Sequence, residues 1–368
     1  MKKILIGLIA VCLVAGLGWY FLSKQGKKEA VEIGAILPLT GDLAFLGQPG
    51  QNALMLAQEK INSSGGILNK KLDIKYYDSQ GESKTAVTVA NKAISVDKQK
   101  ILFTTLTNAS LAIKDVASNN GVLQLIIAIA PNIAKNGEYA LQMCYSAKQE
   151  ADEINQLIKN SDIKSVGIIS SKDAASDEEL EQYIIPFLKE NNIDYFVEKF
   201  DVGQQDFKAL ATKTSQWKTS DIIILGYGSD FPNILKEITL YPYKDFNIWG
   251  GIGFAEIPDN TPQTLLNNVT FVAPLVIQKQ EGADFFKEYK ERFKANYVPY
   301  DAAYTYDAMM LLAKIINEKQ STDPSIIYKA MSDNVKYEGI TGKITIEQKE
   351  ISTNVVICKF ENGVAVIK

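Results

Sequence analysis

The 368 residues contain no histidine. That absence removes Ser-His-Asp and Cys-His nucleophile systems, histidine general bases and most zinc sites. Cysteine is scarce: Cys12, Cys144 and Cys358. They form no paired-cysteine metal motif, so no metal site is expected. Cys144 and Cys358 are read as two buried free thiols, the other reading being a pair formed in an oxidising compartment. No glycine-rich loop ending in lysine is present, which leaves phosphate cradling unsupported. Gly226-Tyr227-Gly228 and Gly250-Gly251-Ile252-Gly253 follow predicted strands but lack the spacing of a dinucleotide turn. Carboxylates are plentiful, yet no spacing singles out an acid–base pair. No catalytic residue and no cofactor are assigned, and the chain is not read as an enzyme. With 39 basic and 43 acidic residues and no basic patch, nucleic acid is not an expected partner.

One long apolar run is present, Ile4 to Leu22, roughly the span of a bilayer core. Lys2 and Lys3 precede it; Lys24, Lys27 and Lys28 follow. Residues 1–28 are read as an export segment, either a cleaved signal peptide or an uncleaved membrane anchor. Both place the body on the periplasmic or extracellular face.

That body opens on a βαβ unit. Val31 to Leu37 is mostly apolar and short, as a strand covered on both faces would be. Gly47 and Pro49 mark a helix start. Ala53, Leu54, Ala57 and Ile61 recur at helical spacing, and Ser63-Ser64-Gly65-Gly66 stops the helix. Leu72, Ile74 and Tyr76 then alternate with polar residues, a strand period. The rhythm repeats through Phe246 to Gly250, which implies parallel sheets with helices on both faces. Thr270 to Ile277 is read as a strand returning to the first lobe. The fold class is α/β, two doubly wound parallel-sheet lobes joined by three crossovers near Tyr145, Pro274 and Asn334. Residues 29–145 with 275–334 are assigned to lobe 1, and 146–274 with 335–368 to lobe 2.

In open parallel sheets, ligands sit outside the carboxyl ends of the strands. The loops expected to line a cleft between two such lobes are Thr40 to Gly47, Thr104 to Ser110, Ala128 to Asn132, Ser170 to Ser176, Gly226 to Phe231 and Gly250 to Ala255. Thr107, Asn108 and Ser110 offer donors beside a helix N-terminus suited to a carboxylate; the other reading of Asn108 and Ser110 is helix capping. Tyr227 either stacks on an apolar ligand or packs against its own lobe.

Several short motifs stand in a telling order: Leu37-Pro38-Leu39-Thr40-Gly41, Gly65-Gly66-Ile67, Tyr77-Asp78, Asp301-Ala302-Ala303-Tyr304-Thr305-Tyr306-Asp307-Ala308 and Tyr337-Glu338-Gly339-Ile340-Thr341-Gly342. In that order the chain resembles the leucine/isoleucine/valine-binding protein family, the type I periplasmic solute-binding proteins of ABC transporters, over about 31–368. The resemblance implies a small-molecule ligand (amino acid, carboxylate or amide), hinge closure, an ABC permease as partner and a monomer. A ligand-sensing module of the same fold is the alternative. It also implies ligand-binding positions at Leu46, Ala128, Ile129 and Ile252, beside Thr107, Asn108, Ser110 and Tyr227. The chain departs from the family there. Leu46 stands for an aromatic, Ile129 for a hydroxyl residue, and Ile252 or its neighbours for the glutamate that holds an ammonium. Asp230, Glu256 or Asp173 are the residues able to replace that charge. Without it, a neutral or acidic apolar solute is expected.

Overall fold

The computed structural model describes residues 30–130, 139–240, 246–258, 260–278 and 284–368. The expected export segment, 1–28, lies outside them. No helix among the described residues is long and apolar enough to cross a membrane.

The first sheet has strand order β2-β1-β3-β4-β5 and is parallel throughout. Its strands are β1 (Val31–Leu37), β2 (Leu72–Asp78), β3 (Ile101–Thr105), β4 (Leu123–Ile127) and β5 (Ala140–Gln142). The near-continuous apolar runs of β3 and β4 follow from burial on both faces: both are buried at every position, whereas the edge strand β2 alternates from Leu72 to Tyr76. Three helices connect them: α1 (Ala44–Ser63), α2 (Ser83–Asn91), which runs into a π turn at Lys92–Val96, and α3 (Thr107–Asn119). Helix α1 begins three residues before Gly47, with Pro49 inside it. Gly47 marks a close approach rather than a start, because a Cβ there would fall 2.1 Å from the carbonyl oxygen of Pro38.

The second sheet runs β15-β14-β10-β9-β8-β6-β7. Strands β6 (Ser165–Ser171), β7 (Asp194–Phe200), β8 (Asp221–Leu225), β9 (Asn247–Gly250) and β10 (Val269–Pro274) are parallel, while β14 (Val355–Glu361) and β15 (Val364–Ile367) add an antiparallel edge. The helices of this lobe are α4 (Ala147–Asn160), α5 (Ala174–Glu179), which continues through a π turn into α6 (Ile185–Glu190), α7 (Lys208–Thr214) and α8 (Phe231–Thr239). Strand β10 pairs with β9 and β14, so Thr270 onward completes the second sheet instead of returning to the first. The return comes one step later, at Leu275.

Helices α9 (Asp284–Phe293), α10 (Tyr300–Lys319) and α11 (Pro324–Met331) follow. Helix α10 packs along α1, and α11 against β4 and β5. A small antiparallel sheet of β11 (Val335–Gly339), β12 (Gly342–Glu347) and β13 (Glu350–Ser352) comes next. It joins neither large sheet. Buried Asp307 of α10 holds it, accepting from the N–H of Ile340 (3.0 Å), the N–H of Thr341 (2.9 Å) and the hydroxyl of Thr341 (2.7 Å). We therefore assign 335–352 to the first lobe and place the third crossover at Thr353–Asn354, not near Asn334.

The crossovers are bonded to one another. Ser146 and Gln149 form a capping box at the start of α4, and the Gln149 side chain donates to the Thr353 carbonyl at 3.0 Å. The N–H of Leu275 donates to the Asn354 carbonyl at 2.9 Å, and the Tyr304 hydroxyl to Oγ1 of Thr353 at 3.0 Å. Cys144 and Cys358 are both buried and free.

Candidate functional site

In each large sheet the strand order reverses about one strand, β1 in the first and β6 in the second. Such switch points leave a crevice at the carboxyl ends, and here the two crevices face each other. The cavity between them holds about 310 Å³, the scale of a small-solute site. Its wall draws on the loops after β1, β3, β4, β6, β8 and β9, and on the turn that opens α10.

Six of the eight predicted site residues come together there: Leu46, Thr107, Ala128, Ile129, Tyr227 and Ile252. Asn108 and Ser110 do not line the cavity. Ser110 is on the inward side of α3, fully buried; its hydroxyl donates to Oγ1 of Thr104 at 2.9 Å, and Gln124 donates to its carbonyl at 3.0 Å. Asn108 is exposed, its carbonyl accepting from the Ser83 hydroxyl at 3.3 Å. Neither caps the helix: Leu106 occupies the cap position, with no side-chain cap bond, at φ 66°. A leucine in that region is strained, and strain of this kind collects at functional sites.

The expected lack of a carboxylate near Ile252 is overturned. Five acidic side chains line the cavity: Glu150, Asp173, Glu179, Glu256 and Asp301. None of its described lining residues is Lys or Arg. Asp173 is committed to local structure, accepting from the N–H groups of Ala175 (3.0 Å) and Ser176 (3.1 Å) at the start of α5. Asp230, the third residue named for the missing charge, lies outside the wall and accepts from the N–H of Gly203 at 3.1 Å.

The other four form two pairs. Glu150 of α4 and Glu179 of α5 are both buried. Oε2 of Glu150 accepts from the N–H of Ile252 at 3.2 Å. Burial pushes the Glu150 carboxyl up to about 7, with the Ile252 N–H opposing. Glu179 is raised well above its usual range by burial, then by the charges of Glu150 and Asp173. Its Oε1 is buried without a hydrogen-bond partner. Glu256 and Asp301 form the second pair. Burial raises Glu256 to about 8, and the charge of Asp301 adds to that; Asp301 is raised by burial to about 7. Oε1 of Glu256 also lacks a partner. Asp301 opens α10 of the first lobe, whereas Glu256 follows β9 of the second, so this pair spans the cleft.

Small residues make room for the acids. The loops after β8 and β9 pack through glycines, and a Cβ on Gly228 would fall 2.3 Å from the Gly253 carbonyl. Tyr145, at the first crossover, stacks edge-on to Tyr300 of the cavity wall with ring centres 5.5 Å apart. Sequence reasoning missed Glu150, Glu179 and Asp301. The last opens the Asp301-Ala302-Ala303 motif, and Glu150 follows the predicted crossover by five residues. Nothing local marks Glu179.

The comparisons with known proteins agree with this geometry. The family model "Periplasmic binding protein" matches residues 30–362. Leu/Ile/Val-binding protein homolog 3 of Brucella melitensis is 25% identical over 326 residues, 86% of this chain and 87% of that protein. The crystal structure of a leucine-binding protein from Thermotoga maritima superposes with a TM-score of 0.81 at 21% identity, covering 92% of this chain and 98% of that one. A solute-binding protein of an ABC transporter from Rhodopseudomonas palustris, in complex with 3,4-dihydroxybenzoic acid, gives 0.79 at 19% identity, covering 91% and 96%. At these identities the structures establish a shared fold.

Proposed function

The chain belongs to the periplasmic binding protein family, and on that premise we propose that it captures a small solute bearing a protonated amine, an amino acid or a simple amine, between its two lobes. Membership in a family of binding proteins means that the cleft holds and releases its solute without transforming it, outside the cytoplasmic membrane. One observation carries the amine reading: five carboxylates and no described Lys or Arg line the cavity. A buried anion is costly unless paired, and a cationic solute supplies the pairing. An anionic solute would add a further negative charge to the same wall.

The first lobe retains a seat for an acceptor group. Thr107 and the uncapped start of α3 face the cavity, and Oγ1 of Thr105, also in the wall, is buried without a partner. Unpaired N–H groups at a helix start suit a carboxylate. An amino acid would use both ends, and a simple amine the acidic end alone.

Contacts to both lobes favour the closed form, as ligand-driven hinge motion requires. We further propose delivery to an ABC permease, a monomeric state, and tethering or cleavage of residues 1–28. Thermal melting with amines, neutral amino acids and aromatic acids tests the solute class. Amine-bearing compounds should raise the midpoint by several degrees, since a ligand at 100 times its Kd adds about 2.7 kcal/mol. Stabilisation by benzoate alone would overturn the amine reading.

A further inference from the structure

We propose that the solute carries two protonated nitrogens set apart by a short flexible chain, one seated at Glu150–Glu179 and the other at Glu256–Asp301. The inference rests on the amine reading and goes a step beyond it.

The two acidic pairs are separate poles. Glu150 and Glu179 come from α4 and α5 of the second lobe, whereas Glu256 and Asp301 face each other from different lobes. The charges that raise Glu179 are those of Glu150 and Asp173, and the charge that raises Glu256 is that of Asp301. Each pole ends in a buried carboxylate oxygen with no partner, Oε1 of Glu179 and Oε1 of Glu256. A single ammonium satisfies one pole and leaves the other as two like charges in a closing, water-poor cleft. Like charges held together disfavour ionisation, so the unoccupied pole must keep a proton or hold the lobes apart. A second cation at Glu256–Asp301 turns that repulsion into a bridge between lobes. The nitrogen at Glu150–Glu179 fixes the solute and the one at Glu256–Asp301 closes the cleft.

A metal dication does not fit the donor set. Among the described residues no three Asp, Glu or Cys side chains converge to hold a metal ion, whereas calcium takes 6–8 oxygens. Two chemistries present two such nitrogens: a basic amino acid, which also fills the carboxylate seat at Thr107, and a linear diamine, which does not.

Calorimetric titration of the full chain with L-lysine, L-ornithine, cadaverine, L-norleucine, pentylamine, benzoate and calcium chloride tests the inference. Each dication should bind on the order of 10–100-fold more tightly than its monocationic match, the effect of one or two charge-assisted hydrogen bonds. Binding of lysine and ornithine without cadaverine supports two cations plus the carboxylate seat; binding of all three supports the two cations alone. Glu256→Gln and, independently, Asp301→Asn should bring lysine down toward norleucine. Norleucine as tight as lysine in the unaltered protein would overturn the second cation and leave the amine reading standing. Binding of benzoate with no amine bound would overturn both. Calcium bound more tightly than any amine would overturn the organic dication.

Discussion

The Cβ that Gly251 lacks would fall 1.4 Å from Oε1 of Glu150. The loop after β9 is therefore shaped around that carboxylate, and the next residue, Ile252, donates its N–H to the same group. Gly251→Ala should push Glu150 off its seat and weaken amine binding at least tenfold. The folded state should lose about 1–3 kcal/mol, the usual effect of overfilling a packed site. Calorimetry with lysine and a urea melt read the two effects. Unchanged affinity would show that Glu150 does not hold the solute.

Stability without solute should fall as pH rises. Glu150, Glu179, Glu256 and Asp301 are all raised in the folded state, to about 7, 8 and 7 for Glu150, Glu256 and Asp301. Between the unfolded carboxylate range near 4 and these values, the folded chain holds more protons than the unfolded one, so raising pH favours unfolding. The stability they contribute is fully present below about pH 4 and is lost as pH passes through roughly 7 to 8. Saturating lysine should reverse the trend in that upper window, because its amines pair with the ionised forms. Melting curves from pH 5 to 8.5 check this, and a solute-free midpoint that rises across the window would contradict it.

Asp307 should matter to the fold and not to the solute. It anchors the small β11–β13 sheet through three hydrogen bonds and stands outside the cavity wall. Asp307→Ala should destabilise by roughly 3 kcal/mol, since buried donors are left unpaired. Lysine affinity measured well below the melting midpoint should stay within about threefold. A large loss of affinity in a stable variant would tie the small sheet to the cleft.

Much of this arrangement is legible in residue order, and the missing part has a physical reason. The loops after strands are readable because a parallel sheet puts its crevice at the carboxyl ends; Thr107 and Tyr227 are picked from those loops by their chemistry, whereas Leu46, Ala128, Ile129 and Ile252 are singled out within them by the family resemblance. Glu150 and Glu179 belong to helices whose patterns look ordinary, and only the packing of α4 and α5 turns them inward. Glu256 lies one residue past the loop drawn from β9. Asn108 and Ser110 stand apart from the wall because a helix start has several faces, and the turn at Leu106 presents Thr105, Leu106 and Thr107 to the cavity while Asn108 faces outward and Ser110 inward. The boundary at Asn334 is drawn without the small sheet, because β11–β13 is a short antiparallel unit whose ties to the first-lobe helices, Asp307 and Lys314 of α10 among them, are distant in sequence.

The clasp among the crossovers should set the stability of the hinge. Tyr304→Phe removes a buried bond to Thr353 and should cost about 1 kcal/mol, read by urea unfolding. An unchanged midpoint would show that this bond contributes nothing. In the unaltered protein, small-angle scattering should show a smaller radius of gyration at saturating lysine, and an unchanged radius would count against closure.

The measurement that bears most directly on an acidic, cation-capturing cleft is the proton exchanged on binding. The tightest amine of the panel should be titrated at pH 7 in two buffers of different ionisation enthalpy. A cation requires ionised partners, and burial, which raises Glu150 and Asp301 to about 7 and Glu256 to about 8, leaves these groups partly protonated at that pH in the empty cleft. Binding should therefore release protons, on the order of one per solute. Proton uptake, or no exchange at all, would contradict the account.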